Sequence, residues 1–262
     1  MPDTFTASTN ALREKLTSGS PVFGTFCSIP HVTSAEALGG AGFDFVLVDA
    51  QHGAPTFDTL VQLIPAIQLG GAPSLIRLPW NDPALAMRAL DLGAAGVVVP
   101  LISTRQDAER AATACRYPPS GIRSFGQVRG LSYGSTAATN DEVLCIAMIE
   151  TAEGLENADA IASTPGVDGI FIGPVDLALS MGLPVDFTLS DPRLKEAMTA
   201  ILEAGQRHDC PVGMPLFGIG MASGAIEAGY RFMTAGGDGG YIRMGAMGDI
   251  TKLREIADGE NR

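Results

Sequence analysis

Eight short apolar runs, each followed by a loop bearing Gly, Pro or Asp and then by a helical pattern, constrain this chain more than any other feature. The runs occupy residues 22–28, 45–49, 74–77, 96–101, 144–150, 169–173, 211–214 and 231–235. They are near-continuous rather than alternating, so each predicts a strand covered on both faces, as in a parallel sheet. Amphipathic stretches at 56–69, 104–115, 192–208 and 219–228 predict helices that cover them. Thr104 with Asp107, and Ser190-Asp191-Pro192, are helix starts, because side-chain oxygens there can satisfy first-turn N–H groups and Pro suits the first helical position. Gly42, Gly93 and Gly229 fall where helices should stop. Eight strand-and-helix units in 262 residues match the size of a TIM (β/α)8 barrel. The rival, an open doubly wound sheet, would place a GxGxxG turn after its first strand, and this chain has Ser28-Ile29-Pro30-His31 there. With no linker in sight, residues 1–262 read as one barrel domain. The irregular stretch 117–140 is long enough to be a functional loop or part of a subunit interface.

Composition narrows the function. With 17 Lys+Arg against 29 Asp+Glu the net charge is −12, which leaves no basic excess for a nucleic-acid backbone. A charged fraction of 18% with 46% hydrophobic residues excludes a disordered chain. Residues 1–20 are polar, without the apolar run of a signal peptide, and no stretch approaches the roughly 20 apolar residues of a membrane span. Cys27, Cys115, Cys145 and Cys210 are widely spaced and form no CxxC pair, so they predict buried thiols in a reducing cytoplasm. Only three Lys (15, 195, 252) and three His (31, 52, 208) are available for amine or imidazole chemistry.

In a (β/α)8 barrel, catalytic groups project from the carboxyl ends of the strands. Here those ends carry Asp49-Ala50-Gln51-His52-Gly53, Arg77, Glu150, Gly173-Pro174-Val175-Asp176 and a Gly-rich turn around Asp238. Glu150 and Asp176 follow neighbouring strands, and two oxygen donors without Cys or a further His suit a hard divalent ion such as Mg²⁺, Mn²⁺ or Co²⁺. Such an ion would polarise a 2-oxo acid and acidify the adjacent carbon. Arg77 would stabilise the developing enolate oxygen, and His52, with an imidazole suited to neutral pH, would transfer the proton. Each residue also has a plainer reading. Asp176 caps a helix, Thr151 competes with Glu150 for a cap, Arg77 anchors the loop containing Asp82, and Asp49 orients an Arg or a ring or caps its own loop. His31 sits beside the catalytic end, and His208 precedes the seventh strand on the opposite, structural end.

The segments GFDFVLVDAQH (42–52), IRLPWNDP (76–83), LDLGAAGVVVP (90–100), RYPPSGIRSFG (116–126), IET (149–151) and GIFIGPVDLALSMG (169–182), in this order on a barrel pattern, resemble the HpcH/HpaI aldolase family. These are metal-dependent (class II) pyruvate aldolases, with a barrel of the phosphoenolpyruvate/pyruvate type. The resemblance implies that Glu150 and Asp176 hold the metal, that Arg77 contacts the keto oxygen, and that His52 is the catalytic histidine, assisted by Asp91. It implies that Gly173, Pro174 and Val175 hold the pyruvate carboxylate and that Leu216 forms another wall. It also implies a hexamer built from dimers that exchange a C-terminal helix. Two positions depart from the family pattern: Gln51 stands where many relatives have Glu, and Met148 where many have Gln.

The expected activity is reversible aldol addition and cleavage of 4-hydroxy-2-oxo acids, with pyruvate or hydroxypyruvate as donor and an aldehyde as acceptor. The expected partners are these small molecules and further copies of the chain, with neither nucleic acid nor membrane. Rival readings are a sugar-acid aldolase, a citrate-lyase or malyl-CoA-type lyase, a Schiff-base aldolase and a barrel without turnover. The Schiff-base route needs a lysine at a strand end, and no lysine follows a predicted strand. The CoA route needs a basic surface, for which only 116–129 qualifies.

Overall fold

A computed structural model describes residues 4–126, 129 and 135–259, with side chains from residue 11 onward. Residues 127–128 and 130–134 of the predicted 117–140 loop lie outside the described residues. The chain runs α1 (Thr4–Ser18), β1 (Val22–Cys27), α2 (Val32–Gly39), β2 (Phe45–Asp49), α3 (Phe57–Gly70), β3 (Ser74–Arg77), α4 (Pro83–Asp91), β4 (Gly96–Val99), α5 (Arg105–Ala114) and α6 (Thr136–Glu142). It continues through β5 (Leu144–Ile149), α7 (Ala152–Glu156), α8 (Ala158–Ala162), β6 (Gly169–Ile172), α9 (Pro174–Ser180), α10 (Pro192–Arg207), β7 (Val212–Leu216), α11 (Ala222–Ala228), β8 (Phe232–Gly237) and α12 (Asp238–Gly259). The strands form a closed parallel barrel in sequence order, with β8 pairing back onto β1. The fold is the TIM barrel that the eight-unit rhythm predicts.

Two periods explain how the barrel fills. Along β2, Phe45 and Leu47 point into the barrel while Val46 and Val48 face the helices, and the other strands divide in the same way. The interior is closed by Leu75, Val98, Ile146, Phe171 and Phe232. It has no room for a side chain at Gly24, where a Cβ would lie 2.3 Å from the Phe45 ring. At the N-terminal end of the strands, α1 plugs the barrel with Leu12 and Leu16, and Arg13 donates to the Val143 carbonyl at 2.7 Å and pairs with Asp168 at 2.9 Å.

Helix starts form as their chemistry predicts. Thr104 and Asp107 make a reciprocal capping box, and Asp191 caps α10 with Pro192 in the first turn. Gly42, Gly93 and Gly229 take positive φ just past α2, α4 and α11. Several boundaries differ from the sequence reading. β4 stops at Val99 because Pro100 has no N–H to donate and Leu101 turns left-handed at φ 56°. β7 continues to Leu216 through Pro215, whose missing N–H is tolerated because pairing to β6 has already ended at Gly213. The 219–228 stretch is a 3-10 turn (Ile219–Met221) followed by α11, since Gly218 and Gly220 offer no side-chain cap.

One buried carboxylate locks the seam where β8 meets the first βα loop. Asp238 is 4% exposed and accepts from the N–H groups of Ser28, Ile29 and Gly239 and from the Ser34 hydroxyl, at 2.9–3.0 Å. Replacing it strands several buried donors. Asp238→Ala should therefore destabilise the fold by about 2–4 kcal/mol, seen as a lowered denaturant midpoint with an unchanged slope.

Candidate active site

The carboxyl ends of β2, β3, β5, β6 and β7 bring Asp49, Arg77, Glu150, the 173–176 turn and Leu216 to one face. Asp49 and Arg77 are direct neighbours in the β2–β3 register. Arg77 Nε donates to Asp49 Oδ1 at 3.0 Å and an Nη donates to Oδ2 at 2.7 Å, a two-point fork between largely buried groups. The guanidinium also lies over the Phe26 ring, 5.2 Å from its centroid. The same Asp49 Oδ1 accepts from the N–H groups of Gln51 at 3.1 Å and His52 at 3.0 Å. Burial alone would raise the Asp49 carboxyl, but the bonds and charge of Arg77 and these two N–H groups together hold it below the ordinary carboxylate value. Of the plainer readings for Asp49, both are met at once: it orients an Arg and it ties its own loop. Asp82 instead caps α4 through the Ala84 N–H at 2.8 Å.

Glu150 is 2% exposed just past β5. Thr151 takes the capping role on α7, accepting from the Gly154 N–H at 2.9 Å, so the glutamate is free for another task. Its Oε1 accepts from the Leu101 N–H at 2.8 Å. Leu101 donates from its left-handed conformation, which costs a side-chain-bearing residue on the order of 1–3 kcal/mol. Burial pushes the Glu150 carboxyl up to about 7, the Leu101 bond and the Arg77 charge oppose the rise, and the charge of Asp176 adds to it. Such a carboxylate, buried near the negative charge of Asp176, is relieved either by a proton or by a bound cation.

Asp176 is exposed in the first turn of α9, whose N-cap is Gly173, and it makes no cap bond there. Gly173 donates its N–H to the Ile149 carbonyl at 3.0 Å, and Pro174 has none to give, so the first-turn amides left without helix partners belong to Val175 and Asp176. Gly173 also leaves space: a Cβ there would fall 2.6 Å from Glu150 Oε2 and 2.7 Å from Met148 Cε. Leu216 closes the wall at the end of β7. His52 stands exposed at the rim, positioned through its backbone by Asp49.

Asp91 is not brought here within one chain. It ends α4, which runs back to the start of β4, and its carboxylate pairs with Arg123 at 2.7 Å at the opposite end of the barrel. His31 caps α2 by accepting from the Thr33 N–H, and His208 meets Asp159 near the structural end. Arg116 and Arg123, candidates for a CoA-phosphate surface, are buried, paired with Asp168 and Asp91. All three lysines sit on helices, α1, α10 and α12. The sequence reading missed Leu101 and Phe26. A Pro-Leu pair at the end of a strand was the only signal for the first, and nothing in the linear chain marks the second.

Among the described residues no group of three or more His, Cys, Asp and Glu is gathered for a metal. Glu150 and Asp176 nevertheless fit a hard divalent ion, since two carboxylate oxygens leave the remaining positions to substrate and water.

Comparisons with known proteins place the chain in a family. The family described as HpcH/HpaI aldolase/citrate lyase matches residues 23–244. A hydroxypyruvate/pyruvate aldolase of Rhizorhabdus wittichii is 36% identical over 253 residues, 94% of this chain and all of that protein. A 2-dehydro-3,6-dideoxy-6-sulfogluconate aldolase of Pseudomonas putida is 38% identical over 84% of this chain and 87% of its own. Among solved structures, an HpcH/HpaI aldolase/citrate lyase family protein from Burkholderia cenocepacia superposes with a TM-score of 0.88 at 30% identity, covering 94% of this chain and 99% of that one. The chain belongs to the HpcH/HpaI aldolase/citrate lyase family.

Proposed function

We propose that the protein is a divalent-metal-dependent aldolase that joins a 2-oxo acid, pyruvate or hydroxypyruvate, to an aldehyde and cleaves the resulting 4-hydroxy-2-oxo acid. The observation that carries this reading is Glu150, buried next to the charge of Asp176 and within the field of an Arg77 held by Asp49. Glu150 and Asp176 would hold Mg²⁺, Mn²⁺ or Co²⁺, which supplies Lewis acidity to the 2-oxo acid when bound. The Val175 and Asp176 amides bind the substrate carboxylate, as unpaired first-turn N–H groups do. Gly173 serves by keeping clear of the Glu150 carboxylate, and Pro174 starts the turn. Arg77 has two donors on Asp49 and keeps its second Nη for the C2 oxygen as negative charge develops there. His52 takes the C3 proton in addition and moves the proton of the C4 hydroxyl in cleavage. Leu216 bounds the space in which the C3–C4 bond forms and breaks. Asp91 has no part in this reading within one chain.

We propose further that the barrel is one domain spanning 1–262 and works as a homo-oligomer. Every residue of 239–259 is exposed, and α12 carries Ile242, Met247, Ile250, Leu253 and Ile256 into solvent while meeting the barrel chiefly at β8 and β1. An apolar stripe of that length needs a cover, and a second copy of the chain supplies one. The family resemblance implies a hexamer built as a trimer of dimers. Four free, buried thiols suit a reducing cytoplasm, and among the described residues no helix is long and apolar enough to cross a membrane.

Four experiments test these readings. Chelator-treated protein should release no pyruvate from a 4-hydroxy-2-oxo acid and recover when Mn²⁺ is restored, and activity surviving complete metal removal would sink the mechanism. Glu150→Ala should abolish both divalent-cation binding by calorimetry and turnover, whereas Arg77→Ala should cut turnover by about 10²–10³-fold with little change in cation affinity. Gly173→Ala, which drives a methyl group against Glu150, should weaken cation binding without lowering the thermal midpoint by more than a few degrees. In light scattering the chain should run at six times 27.1 kDa, and Ile250→Lys with Leu253→Lys should break the assembly down. A monomeric wild type would contradict the oligomer.

A further inference from the structure

Beyond Leu216 the rim of the site carries an aromatic pair with no role in donor chemistry. Phe217 directly follows β7, and Phe187 lies in the segment 181–191 that links α9 to α10 at the same end of the barrel. Their rings meet edge to face with centroids 5.2 Å apart at 73°. Both remain open to solvent, Phe217 at 39% and Phe187 at 59% exposure. Such a pair on a monomer surface normally wastes apolar area, yet here it is held firmly. Asp186 accepts from the N–H and hydroxyl groups of both Thr188 and Ser190, at 2.6–2.9 Å, which pins the backbone on either side of Phe187. These bonds hold the Asp186 carboxyl well below its usual range. On the other side, a Cβ at Gly218 or Gly220 would meet nothing within 4 Å, so the turn that follows Phe217 borders open space.

The charges on this face point the same way. The segments that follow β1 to β7, 28–31, 50–56, 78–82, 100–104, 150–151, 173–191 and 217–221, contain no Lys or Arg, and after β8 the first cation is Arg243, inside α12. Arg77 is the one cation at the strand ends, and it is already forked onto Asp49. Asp186, next to Phe187 and clear of the cation ligands, adds negative charge to the sector that holds the aromatic pair. An acceptor bearing its own carboxylate, phosphate or sulfonate finds no Lys or Arg beside the aromatic pair and a like charge at Asp186, whereas an apolar group finds two aromatic faces.

We infer that Phe187 and Phe217 form the acceptor wall of the site and select a neutral aldehyde with an apolar, preferably aromatic, substituent. This rests on the aldolase reading above and assigns the half of the substrate that the donor residues leave open. Aldol addition then joins C3 of the 2-oxo acid to the aldehyde carbon, the C3 proton leaves, the aldehyde oxygen gains one, and the substituent packs against the two rings.

The test compares pyruvate release from 4-hydroxy-2-oxo-4-phenylbutanoate, whose acceptor half is benzaldehyde, with release from 4-hydroxy-2-oxoheptanedioate, whose acceptor half carries a carboxylate. The native Mn²⁺-loaded protein should favour the phenyl substrate by at least about tenfold in kcat/KM. Phe217→Ala and Phe187→Ala should each bring the ratio down severalfold, mainly through KM for the phenyl substrate, and Phe217→Tyr, which keeps the ring, should preserve it. A wild type that favours the carboxylate substrate, or a ratio indifferent to both alanine variants, overturns the inference. Solvent-deuterium exchange into pyruvate C3 by the wild type separates the two levels. Exchange with the wrong preference refutes the acceptor wall alone, and no exchange refutes the aldolase reading together with it.

Discussion

Asp49 and Arg77 face each other across the last rung of the β2–β3 ladder, and the fork between them organises the polar end of the barrel. One carboxylate does three things there. It fixes the guanidinium, it ties down the turn that carries His52, and it compensates a cation that would otherwise stand nearly buried over Phe26. Removing one partner of such a pair leaves the other charge uncompensated, at a cost of about 3–5 kcal/mol. Keeping both leaves Arg77 oriented, with part of its donor capacity free, beside Glu150.

Glu150 is the complementary case. Its carboxylate is buried, it is bound by a single backbone N–H, and it feels a second carboxylate, Asp176, in the first turn of α9 just past the next strand. A site that places one acid under such stress while satisfying the neighbouring acid, Asp49, separates two roles by environment alone. The strain at Leu101 and the absence of a side chain at Gly173 serve the same residue from opposite sides. The barrel end thus consists of a neutralised pair and an unneutralised pair, which is what a cation and a 2-oxo acid would together complete.

Much of this could be read in the linear chain, because a closed parallel barrel leaves polar residues few places to go. Apolar runs without alternation located all eight strands, and the residues at their ends gave Asp49, Arg77, Glu150 and Asp176. Boundaries failed where a single backbone property decided them, as at Pro100, Pro215 and the glycines before α11. Partners failed where the contact spans the sheet. That Arg77 would choose Asp49 over Asp82, or lie on Phe26, depends on register and strand tilt rather than on spacing. Asp91 shows the reverse limit: its segment matches a family pattern, yet α4 delivers it to the other end of the same barrel, against Arg123. The Phe187–Phe217 contact joins residues thirty positions apart on different loops and had no sequence signal.

The scarcity of lysine and histidine acquires a structural meaning from this arrangement. With every lysine on a helix and two of three histidines engaged elsewhere, covalent amine chemistry has no residue at the strand ends, and in the proposed reading electrophilic assistance falls to Arg77 and to a cation that Glu150 and Asp176 would hold. A crystal structure with Mn²⁺ and pyruvate tests that most directly. The account predicts an anomalous difference peak within ligand distance of both Glu150 and Asp176, with the pyruvate C2 oxygen beside the Arg77 guanidinium. A metal bound elsewhere, or pyruvate seated away from Arg77, would contradict it.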